Sequence, residues 1–240
     1  MNATATATAI VPTTGAPTLR QAVESVMRQT EPTTCLVVVD GATNVGAVTE
    51  ALRDFDALYD LNRLEVCVLP RNVGANGFYG HRVYASFPHL VDTEHVAFLD
   101  EDCWWDDDHV ATCLRTMRAR EGSWCHALRR VVCVADGRSC DDDFESIGVA
   151  GAAHGTQLVD TNCYFLRTDV AVRAAHAIHG GWGADRALFS ALLDRFPDHA
   201  CTGRRTVNYR ASAALFDFIQ VGSAAAVARY APEPPPWIES

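Results

Sequence analysis

Over its first hundred residues the chain alternates unbroken apolar runs with segments of helical periodicity. Ala7-Thr8-Ala9-Ile10-Val11-Pro12 reads as a short strand, stopped by its proline and by Thr13-Thr14-Gly15. Leu19, Val23, Val26 and Met27 then recur at i, i+4, i+7 and i+8, one apolar face of a helix whose first turn accommodates Pro17. A continuous run rich in β-branched residues over 35–39 ends at Asp40-Gly41, as a strand covered on both faces would. The pattern goes on to predict a helix over 46–58, a strand over 64–69, a helix over 76–87, a strand over 95–99 and a helix over 109–120. Asp106, Asp107 and Asp108 stand before that last helix as capping carboxylates.

Strands alternating with helices predict an α/β fold with a mostly parallel sheet and right-handed crossovers. Ligands of such sheets bind beyond the carboxyl ends of the strands. That rule gathers Thr13, Asp40, Asp100, Glu101 and Asp102 on one rim, with the glycine-rich stretch 72–77 beside them. The second half is less regular. Apolar stretches over 124–134 are followed by Asp136-Gly137-Arg138, a hairpin turn. Asp141-Asp142-Asp143-Phe144-Glu145-Ser146 reads as a solvated acidic loop, with binding of an acceptor or a second cation as the alternative. A buried strand is expected over 161–166, a helix capped by Asp169 reaching 179, a further helix over 215–228, and an extended polyproline arm over 232–236.

Composition narrows the partners. A formal charge of −10 and a pI near 5.3 disfavour an electrostatic nucleic-acid binder, which needs a basic stripe to neutralise phosphates. No run approaches the roughly 20 apolar residues of a membrane span, and the Thr/Ala-rich start over 2–8 lacks the charged region and long apolar core of a secretory leader. The nine cysteines contain no C-x-x-C pair, so neither a zinc site nor a disulfide framework is expected. Buried thiols of a protein in a reducing, cytoplasmic compartment fit instead.

The sharpest chemistry lies where the strand Val96-Ala97-Phe98-Leu99 runs into Asp100-Glu101-Asp102. Two carboxylates one residue apart at a strand end can share a divalent cation through hard oxygen ligands and leave positions open for water and phosphate. The stretch 72–77 is not a G-x-G-x-x-G fingerprint, and no G-x-x-x-x-G-K-[ST] occurs, so dinucleotide and P-loop readings lose their support.

Five strings stand in order on expected strand ends and helices: Ala9-Ile10-Val11-Pro12-Thr13-Thr14; 19–29 with Glu24-Ser25-Val26; Val37-Val38-Val39-Asp40-Gly41; Asn72-Val73-Gly74 with Gly80-His81-Arg82; and Phe98-Leu99-Asp100-Glu101-Asp102. In these the chain resembles the GT-A-fold glycosyltransferases of the large, mainly inverting family 2. The resemblance implies one domain with a nucleotide-sugar-binding half over 1–120, an acceptor-binding half over 121–230 and a proline-rich tail over 231–240. It implies that Thr13 and Asp40 line the base and ribose pocket, that Arg82 approaches the donor's base or phosphates, and that Asp100 and Asp102 form an Asp-x-Asp motif holding Mn²⁺ or Mg²⁺. Asp100 and Glu101 are counted with the donor-binding residues.

Gly180-Gly181-Trp182-Gly183-Ala184-Asp185-Arg186 is similar to the turn that leads into the general base of that family. By the resemblance Asp185 is the catalytic base, and Gly181 and Trp182 line the acceptor site. The implied reaction moves a sugar from a nucleoside diphosphate sugar to an acceptor hydroxyl. The acceptor is open, a modified nucleic acid included, and so is the oligomeric state. The chain departs from the family pattern at Cys103 and Ala184, where acids are usual, and has no histidine after residue 199. Either the metal is held without one, or His154 or His179 reaches in. The alternatives are a catalytically inactive sugar-binding or assembly module of the same fold, and a nucleotidyltransferase. The latter wants a basic phosphate loop after the first strand, and here no Lys or Arg occurs between Thr13 and Arg20.

Overall fold

The computed structural model describes residues 5–55 and 63–238. Four apolar strands, β1 (Ala7–Thr13), β2 (Thr33–Val39), β3 (Leu64–Val68) and β4 (His95–Phe98), lie side by side and parallel. Every residue of β1 and β4 is buried, because helices cover both faces of the sheet at its centre. Between them run α1 (Leu19–Met27), α2 (Val45–Ala51) and α3 (His81–Ser86). Leu19, Val23, Val26 and Met27 are buried, as their spacing predicts.

The remaining strands are β5 (Trp104–Trp105), β6 (Trp124–Cys133), β7 (Ser139–Asp141), β8 (Tyr164–Arg167) and β9 (His199–Ala211). The sheet order is β3-β2-β1-β4-β8-β6-β9-β5, with β7 paired to β6. β8 enters antiparallel between β4 and β6, and β9 runs parallel to β6. The mixed sheet is completed by α4 (His109–Arg120), α5 (Thr168–Ile178), α6 (Ala184–Arg195) and α7 (Ala213–Ala228). Among the described residues no helix is long and apolar enough to cross a membrane, and all nine cysteines are free thiols.

Several expectations are corrected. The helix expected over 46–58 begins at Val45 and ends at Ala51, and 56–58 lie outside the described residues, as do 2–4 of the start. The helix expected from Asn76 begins only at His81. Asn76, Gly77 and Tyr79 have positive φ, which an α-helix does not tolerate. The buried strand expected from Thr161 starts at Tyr164, after a short helical turn over Thr161–Cys163. β9 carries no apolar pattern that marks a strand: Thr202, Arg204, Arg205, Thr206 and Asn208 interrupt its apolar residues, and register shifts near Leu128 break its pairing pattern. The expected hairpin does form, with β6 and β7 joined across Asp136-Gly137-Arg138.

The tail is not an extended arm. Turns on either side of Pro234 bring it back on the domain, where Trp237 is buried against Leu128 and Ile147 and its Nε1 donates to Asp143 at 2.8 Å. Nor is the acidic stretch a solvated loop. Asp142 is fully buried, accepts the Phe144, Glu145 and Ser146 N–H groups and pairs with Arg129 at 2.7 Å. Asp143 pairs with Arg205. Opposite charges more than sixty positions apart in the second case, and thirteen in the first, draw these acids inward.

His126 on β6 is buried, and neither ring nitrogen has a hydrogen-bond partner among the described residues. Burial, with a smaller push from His199, lowers its imidazole to about 3. An unfolded histidine titrates near 6.5, so the unfolded chain takes up a proton that the folded one refuses. Stability is therefore full above about pH 6.5 and falls as pH drops toward 3, by about 2 kcal/mol already at pH 5. Denaturant unfolding at pH 7.5 and 5 should show this loss, and His126→Leu should remove most of it; equal losses in both proteins would assign the acid limb elsewhere.

Candidate functional site

The carboxyl ends of β1, β2 and β4 open into a cavity of about 510 Å³ lined by Thr13, Asp40, Asp100, Glu101, Asp102 and Asp185, among others. The rim inferred from strand order is thus one continuous surface.

At the β2 end Asp40 is buried, and its carboxylate accepts the N–H groups of Val73 at 2.6 Å and Gly74 at 2.8 Å. This bends the 72–80 loop over the cavity. Only glycine fits at 74, where an added Cβ would lie 2.0 Å from the Tyr79 carbonyl oxygen and 2.8 Å from Asp40 Oδ2. Arg82 is not brought to the cavity surface: its guanidinium sits over the Phe78 ring and Nη1 donates to the Val73 carbonyl at 3.2 Å. α3 begins at His81, which lies at the cavity wall, while the Arg82 that follows it is directed to the loop.

At the β1 end Glu101 organises the turn into α1. Its carboxylate accepts the N–H groups of Thr14 at 3.1 Å and Ala16 at 2.9 Å and the hydroxyls of Thr13 and Thr14. Thr13 is buried, its hydroxyl spent on Glu101 and on the Gly15 N–H. Glu101 therefore faces the site with its oxygens committed to the loop.

Asp100 and Asp102 are different. Asp100 Oδ1 accepts from the Tyr84 hydroxyl and Oδ2 from Asn162 Nδ2, each at 2.8 Å. One lone pair on each oxygen is left over. Burial, reinforced by the negative charges of Asp160 and Asp102, pushes the Asp100 carboxyl up to about 7. Burial also raises Asp102, whose side chain is nonetheless exposed to the cavity. Ligand atoms of Asp100, Asp102 and Cys103 lie within 4.8 Å of one another. The Cys103 thiol is held well above its ordinary value by burial and the same acids, so the usable donors are carboxylate oxygens. Two hard oxygen donors with uncompensated charge fit Mg²⁺ or Mn²⁺ and not a soft metal. Neither His154 nor His179 completes the set: His154 bonds Arg229 at 3.0 Å, His179 lies beside Phe78, and neither lines the cavity.

The opposite wall is the turn 180–183 and the start of α6. Gly181 packs so closely that an added Cβ would lie 2.9 Å from the Gly77 carbonyl oxygen, and His81 Nδ1 is 3.0 Å from the Gly180 carbonyl. Gly181 itself does not line the cavity; it closes the turn against the 72–80 loop. Trp182 does line it, 81% exposed, with Arg186 5.2 Å from its ring centroid. The cap of α6 is Gly183, at φ +85°. Asp185 stands inside the first turn, its Oδ1 accepting the Arg186 N–H at 2.9 Å, and no other side chain but Arg186, at 3.7 Å, pairs with it among the described residues.

Tyr84, Asn162, Asp160 and Arg129 complete the neighbourhood of Asp100 and escaped sequence reasoning. Asn162 sits 62 positions from its partner, in a stretch whose apolar character advertised only a strand.

The sequence profile of glycosyl transferase family 2 matches residues 8–138, more than half of the chain. No curated protein matches by sequence. Among solved structures, S. aureus TarS 1–349 superposes with a TM-score of 0.64 at 13% identity, over 94% of this chain and 72% of that one. The same protein in complex with UDP-GlcNAc gives 0.61 at 15% identity, over 85% and 58%. Its complex with UDP gives 0.61 at 16% identity, over 95% and 67%. At such identities the likeness establishes the shared fold.

Proposed function

This chain belongs to glycosyl transferase family 2, and from that premise we propose that it moves a sugar from a nucleoside diphosphate sugar to an acceptor hydroxyl, assisted by a divalent cation and with inversion at the anomeric carbon. The observation that carries the reading is the placement of Asp100, Asp102 and Asp185 around one cavity, at strand ends where an α/β sheet binds ligands.

In this reading residues 1–120 supply the donor half of the domain and 121–230 the acceptor half. Asp40 and Thr13 face the base and ribose, Asp40 with the lone pairs that its two loop contacts leave free. Asp100 and Asp102 would hold Mn²⁺ or Mg²⁺, which when bound supplies positive charge against the departing diphosphate. The flat face of Trp182 packs on sugar C–H groups. Asp185 takes the proton of the acceptor hydroxyl as its oxygen attacks the anomeric carbon from the side opposite the leaving group. The C–O bond to the diphosphate breaks as the new C–O bond forms, and configuration inverts. The nine free thiols support a cytoplasmic setting.

TarS has been crystallised with UDP-GlcNAc and with UDP, so uridine nucleotides lead the test. The chain is incubated with a panel of nucleotide sugars, with Mn²⁺ or with chelator, and released nucleoside diphosphate is measured. Release from one donor, abolished by chelator, is expected. Release indifferent to chelator would remove the cation from the reading; no release from any donor, with nucleotide still bound, would favour the inactive module.

A further inference from the structure

A carboxylate holds a cation well when neighbours that do not compete for the metal fix its orientation. Around Asp100 those neighbours come from distant parts of the chain. Asn162, fully buried in the turn before β8, grips Asp100 at two points. Its Nδ2 donates to Asp100 Oδ2 at 2.8 Å, and its Oδ1 accepts the Asp100 backbone N–H at 2.6 Å. Asn162 is itself gripped: its Nδ2 and its backbone N–H donate to Asp160 Oδ1 at 2.8 and 3.0 Å. The other Asp160 oxygen accepts from Arg129 at 2.6 Å. Arg129, 3% exposed, also carries Asp142 and Glu145, each at 2.7 Å.

We propose that Asn162, anchored through Asp160 on the buried Arg129, is a positioning residue that fixes Asp100 for cation binding. The inference rests on the metal reading above. The amide adds no charge, so it orients Asp100 without repelling it. Its paired contact to carboxylate and backbone blocks rotation of the side chain away from the cavity. Asp160 lines the same cavity, yet both of its oxygens are engaged by Asn162 and Arg129. Its Oδ1 has both lone pairs filled and its Oδ2 charge is matched by Arg129, so it braces the site.

The test titrates Mn²⁺ alone into the parent chain, Asp102→Ala, Asn162→Ala and Tyr84→Phe, reading free Mn²⁺ by electron paramagnetic resonance and Tm in parallel. Asn162→Ala is expected to weaken Mn²⁺ binding by about 10- to 100-fold, the usual loss when an outer partner of a ligand is removed. Tyr84→Phe keeps the ring and removes one bond to Asp100, so its loss should stay below about 10-fold. A purely structural role for Asn162 would lower Tm and leave the affinity of the folded protein unchanged. If the parent binds, Asp102→Ala does not, and a folded Asn162→Ala binds like the parent, this inference is overturned while the metal reading stands. If Asn162→Ala does not fold, Asn162→Ser, which keeps a small polar side chain but cannot span both Asp100 contacts, is read in its place, and an unchanged affinity there overturns it. If the parent itself binds no Mn²⁺, the metal reading fails and takes this inference with it.

Discussion

Asp102→Ala is expected to lose cation-dependent nucleotide binding and to lower sugar transfer by roughly 10³-fold, which corresponds to about 4 kcal/mol of transition-state stabilisation. The choice between the two aspartates matters. Asp100 is bonded to Tyr84 and Asn162, so removing it would leave buried polar partners unpaired and confuse folding with chemistry. Asp102 is exposed, and its side chain bonds the neighbouring Cys103 thiol and its own backbone N–H. Its backbone carbonyl, which accepts from Arg210 at 2.6 Å, survives the substitution. Tm should therefore stay close to that of the parent, within the roughly 0.5 kcal/mol usual for surface changes. Calorimetry with UDP, with and without Mn²⁺, separates the outcomes. A variant that still binds more tightly with Mn²⁺ than without would show that Asp102 is not a ligand.

The rim of the cavity was legible because three independent regularities coincide there. Apolar strands announce themselves as continuous runs, parallel sheets place ligands beyond their carboxyl ends, and polar residues follow those runs directly at Thr13, Asp40 and Asp100. What the sequence concealed are contacts whose partners lie far apart. Nothing local says that Asp142 meets Arg129, or that Asn162 meets Asp100; each reads alone as a loop acid or as part of a buried strand. The start of α3 was hidden for a different reason: the pattern over 76–87 reads as helical throughout, but left-handed residues at 76, 77 and 79 delay the helix to His81. β9 was hidden by its polar residues, which a strand between two neighbours tolerates when their side chains find partners, as Thr206 does at His109 and Asn208 at Asp106.

On the cavity wall formed by α6, Asp185→Asn is expected to lower transfer by roughly 10² to 10⁴-fold, the range for a positioned acid or base, while donor and Mn²⁺ affinity stay near the parent values. The rival view, that Asp185 serves only to start α6, is weakened by the helix itself. Gly183 is the cap, and the carboxylate bonds the N–H of its own neighbour Arg186. An asparagine Oδ1 can accept that same bond, so the substitution keeps the local contact and removes the charge and the basicity. What remains is a modest loss of favourable charge at the helix N-terminus, about 0.3–1 kcal/mol, visible as a small drop in Tm. Arg186 is the complication: its guanidinium lies 3.7 Å from Asp185, 3.9 Å from Glu145 and over Trp182. An acceptor seated on Trp182 would meet both the arginine and the carboxylate, so transfer has to be measured at saturating acceptor to keep binding out of the comparison. A folded Asp185→Asn that transfers at the parent rate would end its assignment as base and direct the search to Glu145, the other carboxylate within reach of Arg186.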